Sequence, residues 1–124
     1  MIGVNPHKHV ALSTLSIDMR LSPAQVEDAL RLLRSVAGLT EAKSECRVCS
    51  VARDTAEEGL IRYHEEWDSE SAFRRHIRSE EFLRVLVAMD MSCEEPQVLV
   101  GNLTGISGME SLRELRREQG EITA

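Results

Sequence analysis

The sequence predicts an α+β domain with the ferredoxin-like element order βαββαβ, an antiparallel four-stranded sheet and an extra C-terminal helix. Strand-like and helix-like segments alternate in that order along 124 residues, a length typical of one domain. All four Trp, Tyr and Phe side chains fall within residues 63–82, on the third strand and the helices that follow it. We therefore expect any ligand to bind near that stretch.

The first strand is predicted at residues 10–17, where Val, Leu, Thr and Ile are frequent. Ser22 then resembles a helix N-cap, and Gln25 three residues later would complete a capping box. Apolar residues recur behind it at helical spacing, and Gly38 is expected to end this helix.

Three further strands follow from the same criteria. Asp68 or Ser69 caps a short helix, and Ser79 begins another helical turn. A second capping box at residues 107–110 opens a charged C-terminal helix. The strands are predicted at residues 45–53, 60–67 and 97–102.

The strands carry apolar residues on both faces, which indicates burial on both faces. Leu12 opposes Leu15 on the first strand, and Leu99 opposes Val98 on the fourth. Helices can cover one face of the sheet, so a second copy of the chain is expected to cover the other. The predicted organisation is a flexible N-terminus at 1–8, a domain at 9–105 and a helix at 106–124 that docks on the dimer partner.

Charge and composition exclude several function classes. The net charge of −6 argues against nucleic acid and anionic membranes as partners. Neither an apolar run long enough to span a bilayer nor a signal-peptide core is visible, so a cytoplasmic location is expected. Cys46 and Cys49 form a C-x-x-C pair, but no second pair completes a metal site and a strand would turn the thiols to opposite faces.

The aromatic stretch resembles the signature of the antibiotic biosynthesis monooxygenase family over roughly residues 9–105. The resemblance implies a dimeric α+β barrel with a pocket between each sheet and its helices. It also implies an oxygenase that uses dioxygen and needs no metal, flavin or haem cofactor. The residues that carry it are Glu65, Trp67, Asp68, Ser69, Phe73, His76, Ile77, Ser79 and Phe82.

The haem-degrading branch of that family is a poorer match. It has a Trp where this chain has His76, and a haem-ligating His where this chain has Leu86. It also has an Asn on the first strand, where this chain offers Ser and Thr. No haem cofactor is therefore expected.

An electron-rich phenol or enol reacts with dioxygen once it has lost a proton, so the protein must supply a base, flat walls and a polar donor. His76 is the candidate base, since imidazole titrates near neutral pH. Tyr63, Asn102 or an Arg could steady an oxyanion, and Glu65 is expected to orient His76 or an Arg. The predicted catalytic residues are His76, Trp67 and Tyr63, and the predicted substrate-binding residues are Phe73, Phe82, Glu65 and Asn102.

Each of these residues also has a purely structural interpretation. Trp67 could fill the core beneath the helices, and His76 could be a hydrogen-bonded core residue. His64 alternates away from its neighbours on the strand and is expected to face the opposite side. The function is therefore either a cofactor-independent monooxygenase acting on a quinol, phenol or polyketide-type aromatic, or a non-catalytic dimeric protein that binds a small molecule. A structural dimer with a filled pocket is the third possibility.

Overall fold

The computed structural model describes residues 13–102 and 105–123. The predicted flexible segment 1–8 and the predicted strand start at residues 10–12 lie outside them. The helices are α1 Val26–Glu41, α2 Glu70–Ile77, α3 Phe82–Asp90 and α4 Met109–Thr123. The strands are β1 Ser13–Arg20, β2 Cys46–Arg53, β3 Leu60–Trp67, β4 Gln97–Asn102 and β5 Gly105–Ser107.

The sheet has the strand order β2-β3-β1-β4-β5, and every neighbouring pair is antiparallel. Its first four strands have the ferredoxin-like arrangement, so the predicted fold class is confirmed. The short strand β5 extends the β4 edge and was not predicted. None of the helices in the described part of the chain is long and apolar enough to cross a bilayer.

The core lies between the sheet and the helices. Along β1 the side chains alternate strictly between buried and half-buried, as expected when one face of a strand packs on a core. Leu15 pairs with Glu65 on β3 and with Val100 on β4, so these positions share the helix-covered face. β3 places Tyr63 and Trp67 on that face as well, and both are almost fully buried.

Helix α1 begins later and ends later than predicted. Gln25 is its N-cap and makes no side-chain capping bond. The carbonyl of Ser22, rather than its hydroxyl, accepts the N–H groups of Gln25 and Val26 at 2.9 and 3.1 Å. The capping box is therefore wrong, and Gly38 lies inside the helix instead of ending it.

The boundary between β3 and α2 follows the prediction closely. The hydroxyl of Ser69 accepts the N–H of Ala72 at 3.1 Å, so Ser69 is the N-cap. Ser79 has a similar position before α3, where its hydroxyl accepts the N–H of Phe82 at 3.4 Å. Ser69 therefore caps α2, whereas the N-cap of α3 is Glu81 and Ser79 only bonds the first residue of that helix.

Helix α4 packs against α2 and β4 of its own chain. Leu112 is buried, and the Nε of Arg78 donates to the carbonyl of Leu115 at 3.1 Å. Arg116 donates to the carbonyl of Ile77. Arg78 therefore ties α4 to the end of α2. Docking of α4 on a partner subunit stays a prediction.

The face of the sheet opposite the helices is mainly polar. Leu99 is an apolar exception, as expected, and is 55 % exposed. The apolar pattern expected on this face at the start of β1 falls in residues that the structure does not describe. We call this face, opposite the helices, the open face. Its polar residues are Thr14, Ser16, Asp18, Arg20, Ser50, Arg62, His64, Glu66 and Gln97.

The open face supports a test of the predicted homodimer. If two sheets pack face to face, Leu99→Arg should shift the dimer to monomers, because a two-fold axis brings each new charge near its copy. Leu39→Arg is the control, since Leu39 is similarly exposed at 52 % but lies on α1. Sedimentation velocity at micromolar concentration reports the assembly. A monomeric wild-type protein would contradict the face-to-face dimer.

Gly59 provides a second test, at the end of the loop that joins β2 and β3. Its φ is +81°, and a Cβ would lie 2.4 Å from the carbonyl oxygen of Leu21. Gly59→Ala should therefore lower the free energy of unfolding by about 2 kcal/mol or more. Gly38→Ala, in open space within α1, should raise it by about 0.5–1 kcal/mol. Urea unfolding followed by circular dichroism measures both, and equal effects would refute this account.

Candidate functional site

The candidate site lies at the end of β3, where α2 and α3 cross the sheet. Strand periodicity puts Tyr63, Glu65 and Trp67 side by side on the helix-covered face. The Ser69 cap then turns the chain into α2, which returns His76 over the same spot. All four side chains are at most 1 % exposed.

Glu65 is the acceptor that joins these side chains. Its Oε1 accepts the indole N–H of Trp67 at 2.9 Å. Its Oε2 accepts the hydroxyl of Tyr63 and lies 2.6 Å from Nε2 of His76. A buried carboxylate is stable only when donors replace its hydration, and these three side chains supply them. The expected role of Glu65, to orient His76, agrees with this geometry.

The second nitrogen of His76 contacts a residue that the sequence did not single out. Nζ of Lys43 lies 3.3 Å from Nδ1 and also pairs with the carboxylate of Glu81. An ammonium only donates and an ionised carboxylate only accepts. The contacts therefore assign the neutral tautomer with the proton on Nε2 and the lone pair on Nδ1.

Aromatic rings surround the imidazole of His76. The ring of Trp67 lies 5.1 Å away, centroid to centroid, and is tilted by 34°. Phe82 meets the imidazole edge-on at 5.4 Å, and Phe73 lies 6.5 Å from Trp67. Arg116 of α4 reaches over the Phe82 ring at 6.0 Å. The structure thus brings together six of the seven predicted site residues.

A surface cavity of about 360 Å³ opens beside this cluster. Trp67 and His76 line it, whereas Tyr63 and Glu65 lie beneath them in the core. The cavity mouth carries charged groups from the loop after α1 and from α2. Its lining residues are Lys43, Ser44, Glu45, Trp67, Ala72, Arg75 and His76.

Asn102 lies elsewhere, at the exposed end of β4. It lines a different, smaller cavity of about 190 Å³ together with Phe73, Ser13 and residues of α4. Phe73 lines this second cavity and lies 6.5 Å from Trp67, which lines the first. The strand order explains this placement, because Ser13 of β1 pairs with both residues and lies between Asn102 on β4 and Trp67 on β3.

His64 occupies the opposite face of the sheet, as the strand alternation predicted. Its Nδ1 lies 2.7 Å from the hydroxyl of Ser16, and its Nε2 lies 2.8 Å from Glu66. It therefore has no contact with the cluster around Glu65 in this structure. His64 provides a matched control for His76.

Cys46 and Cys49 face the same side of the sheet, which contradicts the expected divergence. A bulge in β2 shifts the register between Cys46 and Val48, so that Cys46 pairs with Trp67 and Cys49 with Glu65. Burial raises the thiol pKa of Cys46 to about 11 and that of Cys49 to about 12. The Cys49 thiol donates to the Tyr63 hydroxyl at 3.4 Å. Both thiols are therefore protonated near neutral pH. Cys46 is half-buried and Cys49 is buried, so both are core residues.

Sequence reasoning missed Lys43 and Glu81. Hydrogen bonding to Lys43 lowers the pKa of the Glu81 carboxyl, which keeps that carboxyl ionised at neutral pH. The available signal was weak, because Lys43 stands in a polar loop 33 residues before His76. Its only sequence distinction is that the chain has thirteen Arg but just two Lys.

Comparisons with known proteins agree with the fold. The family profile described as antibiotic biosynthesis monooxygenase matches residues 13–86. A crystal structure named antibiotic biosynthesis monooxygenase superposes with a TM-score of 0.64 at 19 % identity, over 73 % of this chain and 96 % of that one. No curated protein sequence matches the chain.

Two further solved structures share the fold. PA3566 from Pseudomonas aeruginosa is 22 % identical with a TM-score of 0.63, over 75 % of this chain and 94 % of its own. Rv0793 from Mycobacterium tuberculosis is 21 % identical with a TM-score of 0.61, over 72 % and 91 % respectively. At these identities the likeness concerns the fold.

The buried Tyr63 gives a pH-dependent prediction. Burial first, and then the neighbouring carboxylate of Glu65, raise its pKa above the ordinary value of 10.0. A raised pKa contributes stability that is complete below the unfolded pKa and is lost as pH rises above it. The chain has one Tyr, so tyrosinate absorbance should appear only together with unfolding in alkali. Reversible ionisation near pH 10 with circular dichroism unchanged would contradict this burial.

Proposed function

Because the chain belongs to the antibiotic biosynthesis monooxygenase family, we propose that it is a monooxygenase that oxidises a quinol, phenol or polyketide-type aromatic with dioxygen. The reaction proceeds without a metal, flavin or haem cofactor. The catalytic residues are His76, Trp67 and Tyr63. A homodimer and a cytoplasmic location are part of the same proposal.

One observation carries the proposal: the His76 side chain has no exposed surface but adjoins the cavity, and a buried carboxylate lies behind its imidazole. Glu65 holds Nε2–H of His76 at 2.6 Å, which leaves Nδ1 as the basic atom. A proton taken up at Nδ1 makes an imidazolium, and the carboxylate stabilises that charge. Tyr63 and Trp67 donate the other hydrogen bonds to Glu65 and fix its position.

The proposed reaction needs little more from the protein. A phenol loses its proton to Nδ1, and the resulting electron-rich anion reacts with dioxygen. For conversion of a phenol to a quinone, one oxygen atom enters the ring, the other leaves as water, and the substrate supplies four electrons. The protein binds the flat ring, accepts the proton and limits access of water.

The remaining predicted residues shape the site. Trp67 forms an aromatic wall of the cavity, and Phe82 packs edge-on behind the imidazole. Phe73 supports Trp67 from the side. Glu65 acts on the substrate through His76, and Asn102 belongs to a second polar cavity that Phe73 adjoins.

A non-catalytic small-molecule-binding protein is the second candidate function. It is favoured because both nitrogens of His76 already have hydrogen-bond partners within the protein. In that case the cluster is a structural element and the cavity binds a ligand without turnover. Such a protein binds hydroquinones or anthrones but consumes no oxygen with them.

The test compares His76→Ala with wild type by oxygen uptake on a panel of hydroquinones and anthrones. Loss of the base should lower turnover by about 10²–10⁴-fold. His64→Ala, on the opposite sheet face, should leave turnover unchanged. Wild-type turnover in His76→Ala would refute the base assignment, and absence of oxygen uptake by wild type despite binding would favour the second candidate.

A further inference from the structure

We propose that Lys43 is a catalytic residue that binds the substrate as a phenolate, between its Nζ and Nδ1 of His76. This inference rests on the proposed function and specifies its substrates: aromatics with an ionisable hydroxyl that fits between an ammonium and an imidazole. In this structure Lys43 contacts the basic nitrogen of His76, and it turns to the oxyanion when the substrate enters.

The geometry of Lys43 motivates the proposal. Its Nζ lies 3.3 Å from Nδ1 of His76, the atom that must accept a proton in the proposed reaction. As long as this contact persists, Nδ1 cannot accept a proton from a substrate. The Lys43 ammonium must therefore move aside, and it lines the same cavity that the substrate enters.

A phenol oxygen can replace the direct contact between these two nitrogens. It donates its proton to Nδ1 and accepts a hydrogen bond from Nζ, so each nitrogen exchanges one partner for another. The O–H bond breaks, an N–H bond forms at Nδ1, and the electron pair stays on oxygen. No oxidant enters this step.

Lys43 is placed to make this short movement. It follows α1 in a loop, and its side chain is 36 % exposed. Its other partner, Glu81, stands just before α3 and anchors the ammonium beside the site. The contact to Glu81 can persist while Nζ turns from the imidazole to the substrate, since an ammonium has three donors.

The charges around the bound oxyanion agree with this role. Glu65 faces His76 from β3 and Glu81 faces Lys43 from the start of α3, so the imidazolium and the ammonium each have one carboxylate. At the cavity mouth Arg75 and Glu45 form a loose pair at 3.8 Å. An opposite charge within about 4–6 Å lowers the pKa of an acid by about 1–3 units.

A chromophoric phenol tests the inference without turnover. 4-Nitrophenol absorbs differently as phenol and phenolate, so its spectrum on the protein gives the ionised fraction at each pH. Wild type should bind it as phenolate and lower its ionisation midpoint. Lys43→Met should raise the bound midpoint by about one to two pH units, and Lys43→Arg should retain most of the effect.

Two controls separate the proposed role from general effects of charge or packing. Arg31→Met removes an equally positive but distant side chain of α1 that is 74 % exposed, and should change nothing. Glu81→Gln removes the charge of the Lys43 partner but keeps an amide oxygen that accepts from the ammonium, so the bound phenol should stay ionised. If Glu81→Gln behaved like Lys43→Met, Lys43 would serve only to hold the loop, and the inference would be overturned.

The outcomes also distinguish this inference from the proposed function. A bound midpoint that is unchanged in Lys43→Met but raised in His76→Ala would overturn the role of Lys43 and leave the base in place. The absence of saturable 4-nitrophenol binding by wild type would overturn the phenolate site. Oxygen uptake by wild type, measured separately, would still support a monooxygenase in either case.

Discussion

The buried carboxylate of Glu65 is the constraint on which this site depends. A carboxylate with no exposed surface costs several kcal/mol unless donors surround it. Its donors come from β3 and α2, so the cost of leaving it unpaired fixes three side chains and the angle between two elements. The core is therefore polar where it adjoins the cavity beside His76. The imidazole of His76 is oriented before any ligand binds.

Much of the fold is readable from local patterns. Strands β3 and β4 have the predicted bounds, because alternation and β-branched residues set them and turns flank them. The predicted start of α1 was wrong because the carbonyl of Ser22, and not its hydroxyl, accepts the first helical N–H groups. Which oxygen accepts them depends on backbone angles. Strand β5 is three residues long and forms by pairing with β4, so no local sequence pattern predicts it.

The site residues likewise divide into those that local sequence patterns predict and those that they do not. Glu65 and Trp67 are two residues apart on a strand, and His76 shares a helix face with Phe73, so their convergence follows from period and order. Lys43 reaches His76 only through the packing of α1 against α3, which local spacing does not encode. Asn102 was expected to steady an oxyanion, but β1 lies between its strand and β3, and it lines another cavity.

The single Trp of the chain has a spectroscopic consequence. Trp67 donates to Glu65 and stacks near His76, so its indole lies within the hydrogen-bonded cluster. Any change of charge on the imidazole alters the electric field across that indole, and with it the wavelength and intensity of emission. The fluorescence of Trp67 therefore reports the protonation state of His76, with no contribution from other tryptophans.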